Sequence, residues 1–279
     1  IIHTMRERQN GRLLDVDLKE YLSFILFYPA LPAGPIDRLD RFVKDLRNVV
    51  KDHSVEIHAG GQRILIGILK KFVIADALSL ISINSINAGQ VNSSGWQWVL
   101  VYAYAFQILM DFSGYTDIAI GLGRWIGIKL PENFNLPYLK NNLGQFWNNW
   151  HITLTMWFRA YFFNPITRAM KLSKAQLPAA AIFFIAQVST MLLIGFWHGM
   201  TWNFAIWGLW HGIGLFVQNR WTEKMRPQYE KLERIPWLYK GLDWLCVFLT
   251  FNFVALGWVW FALPDVQSSL LVFKRLLGL

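Results

Sequence analysis

The 279-residue chain is 54% hydrophobic and only 16% charged, whereas soluble domains carry about 25% charged residues, so the composition favours a membrane protein over a soluble dehydrogenase or protease. Nucleic-acid binding does not explain the net charge of +9, because the basic residues lie in loops between apolar runs and form no recognised motif. The single cysteine, Cys246, excludes an internal disulfide and a cysteine-based zinc site, and its apolar neighbours indicate packing.

The first apolar segment, residues 21–34, is too short to cross a bilayer as a straight helix. Pro29, Pro32 and Pro35 interrupt any continuous helix there, and basic residues flank it on both sides. We predict a re-entrant segment that enters the membrane and returns to the cytoplasmic face. Irregular backbone survives in a membrane only where protein or a water-filled cavity covers it, which implies a helical body with an internal cavity.

Five later segments approach the roughly 20 residues needed to cross about 30 Å of hydrocarbon. They are residues 63–83, 96–123, 177–197, 202–217 and 242–263. If all five cross, the loops on one side contain 18 Lys and Arg residues and those on the other contain none, which assigns the basic loops to the cytoplasm. Lys70 and Lys71 lie in the middle of the first segment, so they must snorkel or face protein.

Asp111 and Asp117 lie within or near the second of these segments. Carboxylates at membrane depth are either functional or paired inside the protein. They could carry protons, but bonds to Ser113, Tyr115 or Lys70 would satisfy them without any functional role.

Residues 146–159 are rich in aromatic side chains yet too polar to span, which favours an interfacial or half-inserted helix. At helical spacing Trp147, His151, Leu154 and Phe158 fall on one face, and this places an imidazole on the buried stripe. His151 is therefore a candidate site residue. The alternative is a core histidine bonded to a backbone carbonyl.

Two further histidines lie in or beside apolar segments, where burying a polar ring costs free energy. His198 lies between two apolar segments, and His211 follows Trp207 by one helical turn. The alternatives are an interfacial histidine at position 198 and simple stacking on Trp207 at position 211. A metal site formed by these two and His151 is also open, although no His-x-x-x-His pair supports it.

Six stretches in this order resemble the membrane-bound O-acyltransferase family, and specifically its bacterial branch. They are FYPALPAGPIDR at 27–38, KKFVIAD at 70–76, DFSGYTDIA at 111–119, PENFN at 131–135 with the block at 146–159, GFWHG at 195–199 and WGLWHG at 207–212. The resemblance covers roughly residues 20–263. It looks like the C-terminal two-thirds of the family fold, with the first few membrane helices absent.

The resemblance implies an all-α fold: a polytopic membrane helical bundle with re-entrant and interfacial helices around a central tunnel. It implies one domain over residues 1–279, placed in the bacterial cytoplasmic membrane with several crossings. The family's essential histidine in its Trp-His-Gly motif carries over onto His198. The histidine of its Phe-Trp-x-x-Trp-His block carries over onto His151.

Acyl transfer from a thioester to a hydroxyl requires removal of the hydroxyl proton, and imidazole, with a pKa near 6.5, suits that task. We therefore predict His198 as general base and His151 as the residue that orients the donor or polarises its carbonyl. No Ser-His-Asp order or reactive cysteine is apparent, so direct transfer is favoured over an acyl-enzyme. A polytopic transporter or flippase is the alternative, but it should display related halves or inverted repeats, which are not visible.

No bound cofactor is expected. The resemblance implies a thioester donor as substrate, either the phosphopantetheine of an acyl carrier protein or acyl-CoA, and a D-alanyl or acetyl group delivered to an extracytoplasmic glycopolymer. Expected partners are membrane lipid, the carrier protein on the cytoplasmic side and an acyl-transfer partner outside, with no nucleic acid. The basic loops suit either an acidic carrier or anionic lipid.

Overall fold

The computed structural model describes residues 2–9, 11, 14–48, 54–174 and 176–279. Within these ranges the chain forms helices and no strands, so the all-α prediction is confirmed. The helices are α1 Ile2–Gln9, α2 Leu18–Ile25, α3 Leu39–Arg47, α4 Ser54–Ile68, α5 Asp76–Ser79, α6 Asn87–Gln90, α7 Ser94–Trp125, α8 Leu143–Asn149, α9 Ile152–Phe158, α10 Asn164–Leu172, α11 Ala179–His198, α12 Trp202–Leu232, α13 Pro236–Ala262 and α14 Val266–Leu276. Two π-helical segments, Leu69–Ala75 and Arg159–Phe163, continue α4 and α9.

The chain divides into two compact units, of which the first comprises residues 1–77 and 107–133. Its core is a cluster of buried hydrophobic side chains: Leu39, Phe42, Val43, Ala119, Ile120, Ile128 and Leu130. Phe24 and Phe27 pack edge to face on Phe42, with ring centroids 5.4 and 5.1 Å apart. As predicted, no continuous helix covers residues 21–34: α2 ends at Ile25 and a 3₁₀ turn follows at Tyr28–Ala30.

Ion pairs connect α4 and its π-helical continuation to α7 within this unit. Lys70 Nζ donates to Asp117 Oδ2 at 2.7 Å, Arg63 Nε donates to Asp117 Oδ1 at 2.7 Å, and Lys71 Nζ donates to Asp111 Oδ1 at 2.5 Å. Both lysines therefore face carboxylates of the protein, which is one of the two alternatives, snorkelling or facing protein, that the sequence left open. Both acids have protein partners; Lys70 on Asp117 was expected, whereas Arg63 on Asp117 and Lys71 on Asp111 were not.

The second unit comprises residues 78–106 and 134–279. Its α11 and α12 form a close helical hairpin because glycines let the two backbones approach. A Cβ on Gly208 would lie 2.6 Å from the carbonyl oxygen of Met191, and one on Gly212 would lie 2.9 Å from the Cα of Val188. Only three residues join the two helices, so the end of α11 is held at the tip of this hairpin.

Two helices in the described part of the chain are long and apolar enough to cross a membrane: α11 and α13. They correspond to the predicted crossings at 177–197 and 242–263. The predicted crossings at 96–123 and 202–217 fall inside the 32-residue α7 and the 31-residue α12, whereas 63–83 runs through α4, the π-helical segment and α5. The five-crossing arrangement stays a prediction.

Candidate active site

His198 is the last residue of α11, and its ring lies among four aromatic side chains of the second unit. The ring centroids lie 4.8 Å from Trp197, 5.5 Å from Trp207, 4.9 Å from Phe261 and 6.1 Å from Phe204. The residue is half-buried, and its ring nitrogens are not among the buried, unpartnered polar atoms of the described chain. The imidazole is therefore held by aromatic contacts without being sealed inside the protein.

His151 lies at a break between two short helices, not within one helix. The prediction of one continuous helix over residues 146–159 is wrong: α8 ends at Asn149, His151 adopts a left-handed conformation with φ 41°, and α9 begins at Ile152. A non-glycine residue in this conformation costs about 1–2 kcal/mol, so the surrounding structure must hold it there. Such strain is typical of functional sites, although it does not identify one.

Hydrogen bonds on both sides fix the break. The amide of Trp150 donates to the carbonyl of Phe146 at 2.8 Å and closes α8, whereas the amide of Thr155 donates to the carbonyl of His151 at 3.0 Å and opens α9. The amide of Asn135 donates to the carbonyl of Asn149 at 3.0 Å, and this bond ties the end of α8 to the preceding loop. Helical periodicity cannot reveal such a break, because the bonds that stabilise it come partly from outside the segment.

The predicted buried stripe survives the break. Trp147, His151, Leu154 and Phe158 all keep between 3% and 7% of their surface exposed. Burial, with a smaller contribution from the neighbouring His198, lowers the pKa of His151 to about 3. His151 is thus neutral at physiological pH, with one ring nitrogen carrying a proton.

Trp197 contacts both predicted site histidines. Its ring centroid lies 6.2 Å from that of His151 and 4.8 Å from that of His198, edge to face in both cases. The structure therefore brings together the two imidazoles that the sequence places 47 residues apart. A single indole ring links an unsealed imidazole to a buried, neutral one.

His211 is fully buried, and both of its ring nitrogens lack a hydrogen-bond partner. Its ring contacts Trp207 with centroids 5.0 Å apart, but the contact is edge to face and not the stacking that the sequence left open as an alternative. Gly257 makes room for the ring, because a Cβ there would lie 2.8 Å from His211 Nε2. Trp207 also contacts His198, which places it between the two histidines. No sequence pattern predicts these unpartnered nitrogens.

A cavity of about 240 Å³ opens beside Trp147, the ring that contacts both Trp207 and His211. Its polar lining includes the guanidinium of Arg159, which donates to Asn148 Oδ1 at 2.6 Å. The remaining lining residues are Gly144, Thr155, Phe158, Phe163, Phe183, Gln187, Thr190, Met191, Ile194, Leu215, Gln218 and Asn219. The cavity can accommodate an elongated ligand that combines apolar and amide-like groups.

No group of three or more His, Cys, Asp or Glu side chains could hold a metal ion in the ranges that the structure describes. The metal site considered for His151, His198 and His211 therefore gains no support. The described residues thus contain two helices long and apolar enough to cross a membrane, and a pair of imidazoles that contact the same indole ring.

The chain belongs to the membrane-bound O-acyltransferase family, whose sequence model matches residues 4–260. It is 36% identical to a peptidoglycan O-acetyltransferase of Helicobacter pylori over 93% of this chain and 47% of the relative. It is 33% identical to a teichoic acid D-alanyltransferase of Bacillus subtilis over 94% of this chain and 66% of the relative. It is also 33% identical to a probable alginate O-acetylase of Azotobacter vinelandii, over 91% of this chain and 46% of the relative. The chain thus spans about half to two thirds of the length of these curated relatives.

Proposed function

We propose that the protein is a membrane-embedded O-acyltransferase that moves an acyl group from a cytoplasmic thioester to a hydroxyl of an extracytoplasmic glycopolymer or its carrier. The observation that carries this proposal is the pair of imidazoles on either side of Trp197. One ring is accessible enough to meet a substrate, and the other is buried and neutral. Family membership supports acyl transfer and disfavours the transporter alternative.

His198 acts as the general base in this mechanism. Its neutral imidazole removes the proton of the acceptor hydroxyl while that oxygen attacks the thioester carbonyl. The tetrahedral intermediate then expels the thiolate, and the imidazolium returns the proton to sulfur, so the base is regenerated. Aromatic walls around the ring exclude water and limit hydrolysis of the donor.

His151 positions the donor. A neutral imidazole keeps one N–H, and this group can donate a hydrogen bond to the thioester carbonyl oxygen as negative charge develops there. The low pKa of His151 supports the role, because it keeps the second nitrogen unprotonated and the buried ring uncharged. Its position in α8–α9, which adjoins the basic segment predicted to face the cytoplasm, suits a donor that arrives from that side.

The 240 Å³ cavity is the proposed donor path. Trp147 lines the cavity and contacts Trp207, which in turn contacts His198, so a row of aromatic rings leads from the cavity to the proposed base. A phosphopantetheine arm or acyl-CoA combines amide and apolar groups, as the lining does. We further propose one domain over residues 1–279, built as a polytopic bundle around a tunnel in the bacterial cytoplasmic membrane.

The acyl group is small, either D-alanyl or acetyl. The relatives named above are a peptidoglycan O-acetyltransferase, a teichoic acid D-alanyltransferase and a probable alginate O-acetylase. Proposed partners are an acyl carrier protein at the cytoplasmic face and an acyl-transfer protein outside. Mass spectrometry of the ester formed in cells identifies the group directly.

The test compares His198→Ala with His58→Ala in the full-length protein at equal abundance, with ester-linked acyl groups on envelope polymers as the readout. His58 is an exposed histidine in α4 and serves as the matched control. We expect esters to be lost only in His198→Ala. Retained esterification in that variant overturns the proposal, whereas lost substrate movement with intact ester chemistry supports transport.

A further inference from the structure

A second cavity, of about 310 Å³, lies at the beginning of α13 and shares one lining residue, Gln218, with the 240 Å³ cavity. It is lined by Asn141, Asn142, Gln218, Trp221, Thr222, Tyr229, Tyr239, Leu242, Asp243, Cys246, Leu249 and Thr250. Asp243 and Phe261, the residue that contacts His198, are 18 positions apart on α13, or about 27 Å at 1.5 Å per residue. Whatever binds here does not reach the proposed general base.

Asp243 gives this cavity its charge. It is the only carboxylate in the lining, and none of the lining residues is a lysine or an arginine. Its Oδ1 accepts a hydrogen bond from Asn141 Nδ2 at 2.5 Å, and this bond orients the half-buried carboxylate. A carboxylate within a helix that is apolar enough to cross a membrane costs free energy, and such residues usually belong to a functional site.

Three aromatic side chains, Trp221, Tyr229 and Tyr239, line the same cavity. The faces of aromatic rings attract cations, and the combination of such rings with a carboxylate is typical of sites that bind ammonium groups. A cavity of this size, with one negative charge and three aromatic rings, therefore favours an organic cation over an anion or a purely apolar chain.

The surroundings of Asp243 match the headgroup region of a membrane. Trp237 and Trp244 lie on α13 on either side of it along the chain and keep 76% and 58% of their surface exposed, as residues of an interfacial aromatic belt do. Lys240 is exposed and lies one turn before Asp243, so a positive and a negative side chain are neighbours on the helix surface, with Cβ atoms about 5–6 Å apart. A zwitterionic headgroup presents the complementary pair of charges, a phosphate and an ammonium group.

We propose that this cavity binds the ammonium headgroup of an ethanolamine phospholipid, with the ammonium on Asp243 and the aromatic rings, and the phosphate towards Lys240. The cavity adjoins the proposed donor path at Gln218, but the proposal does not depend on acyl transfer. It assigns a lipid contact to the N-terminal end of α13.

The test is native mass spectrometry of the full-length protein after reconstitution with an equimolar mixture of phosphatidylethanolamine and phosphatidylglycerol. We expect wild type to retain phosphatidylethanolamine in about tenfold preference, and Asp243→Asn, which keeps the side-chain size, to lose that preference. Glu223→Gln is the matched control, because Glu223 pairs with Arg220 on α12 and does not line the cavity. The control should keep the wild-type preference.

Several outcomes would overturn the proposal. Equal retention of the two lipids by wild type removes it without reference to any variant, so a poorly folding Asp243→Asn protein does not leave it untested. An unchanged preference in Asp243→Asn also removes it. Soluble phosphoethanolamine, which carries the same headgroup without acyl chains, serves as the competing probe: if it displaces the retained lipid completely at equimolar concentration, the acyl chains contribute nothing and the lipid assignment fails.

Discussion

The two units handle polar groups within apolar surroundings in opposite ways. In the first unit Asp117 is buried but accepts bonds from both Arg63 and Lys70, so charge is neutralised where it is enclosed. In the second unit the imidazoles of His151, His198 and His211 stand among aromatic rings, and the ring nitrogens of His211 have no partner. The difference is that the buried charge of the first unit is neutralised by ion pairs, whereas the imidazoles of the second unit are held against aromatic rings.

The largest expected effect comes from removing the proposed base. His198→Gln should lower kcat by about 10²–10⁴ with little change in unfolding free energy, because the ring is held by aromatic contacts and not by ion pairs. Steady-state kinetics with the acyl donor, together with thermal unfolding of the same preparation, measures both. A His198→Gln protein with a lower unfolding free energy and a normal kcat would contradict this difference between the two units.

Removing Asp117 should lower the unfolding free energy, which the change at His198 leaves nearly unchanged. Asp117→Asn leaves Arg63 and Lys70 without their common partner and should lower the unfolding free energy by about 3 kcal/mol. This value is the lower end of the range for broken buried pairs, because the side chains of Arg63 and Lys70 keep 27% and 30% of their surface exposed. Glu132→Gln is the control, since Glu132 binds Arg63 from a 49% exposed position and should lose less than about 1 kcal/mol. Equal losses in the two variants would contradict the structural role of Asp117.

The buried, neutral state of His151 predicts a dependence of stability on pH. Its pKa is about 3 in the folded protein, against an ordinary value of 6.5. Between these two pH values His151 is therefore protonated in the unfolded chain and neutral in the folded protein. The stabilising contribution is complete above pH 6.5 and is lost as the pH falls, by about 2 kcal/mol at pH 5. Unfolding curves of wild type and His151→Gln at pH 8 and pH 5 test this. If the unfolding free energy changes equally with pH in the two proteins, His151 is accessible to protons.

The smallest effect concerns His211. His211→Phe keeps an aromatic ring and removes two buried nitrogens without partners, so it should raise the unfolding free energy by about 1 kcal/mol. Activity should change little, because Trp207 separates this ring from His198. A large fall in kcat at unchanged stability would move His211 from packing into the chemistry of the second unit.

Much of this architecture could be predicted from the sequence. The apolar runs predict α11 and α13, the prolines predict the interruption of residues 21–34, and two lysines inside an apolar run predict the pairing with acids. The break at His151 could not be predicted, because the aromatic periodicity continues through it and the bond from Asn135 comes from another segment. The surroundings of His211 include four rings from distant positions, Phe146, Trp147, Phe253 and Trp258, which no local pattern encodes.

The close packing of α11 against α12 has a mechanical consequence for His198. At Gly208 and Gly212 the two backbones touch, so the helices have no layer of side chains through which to slide or splay. The backbone that carries the imidazole is therefore held in place by the close approach of the two helices. Adaptation to a different acceptor is therefore easiest in the segments that face the tip, and hardest in the hairpin that carries it.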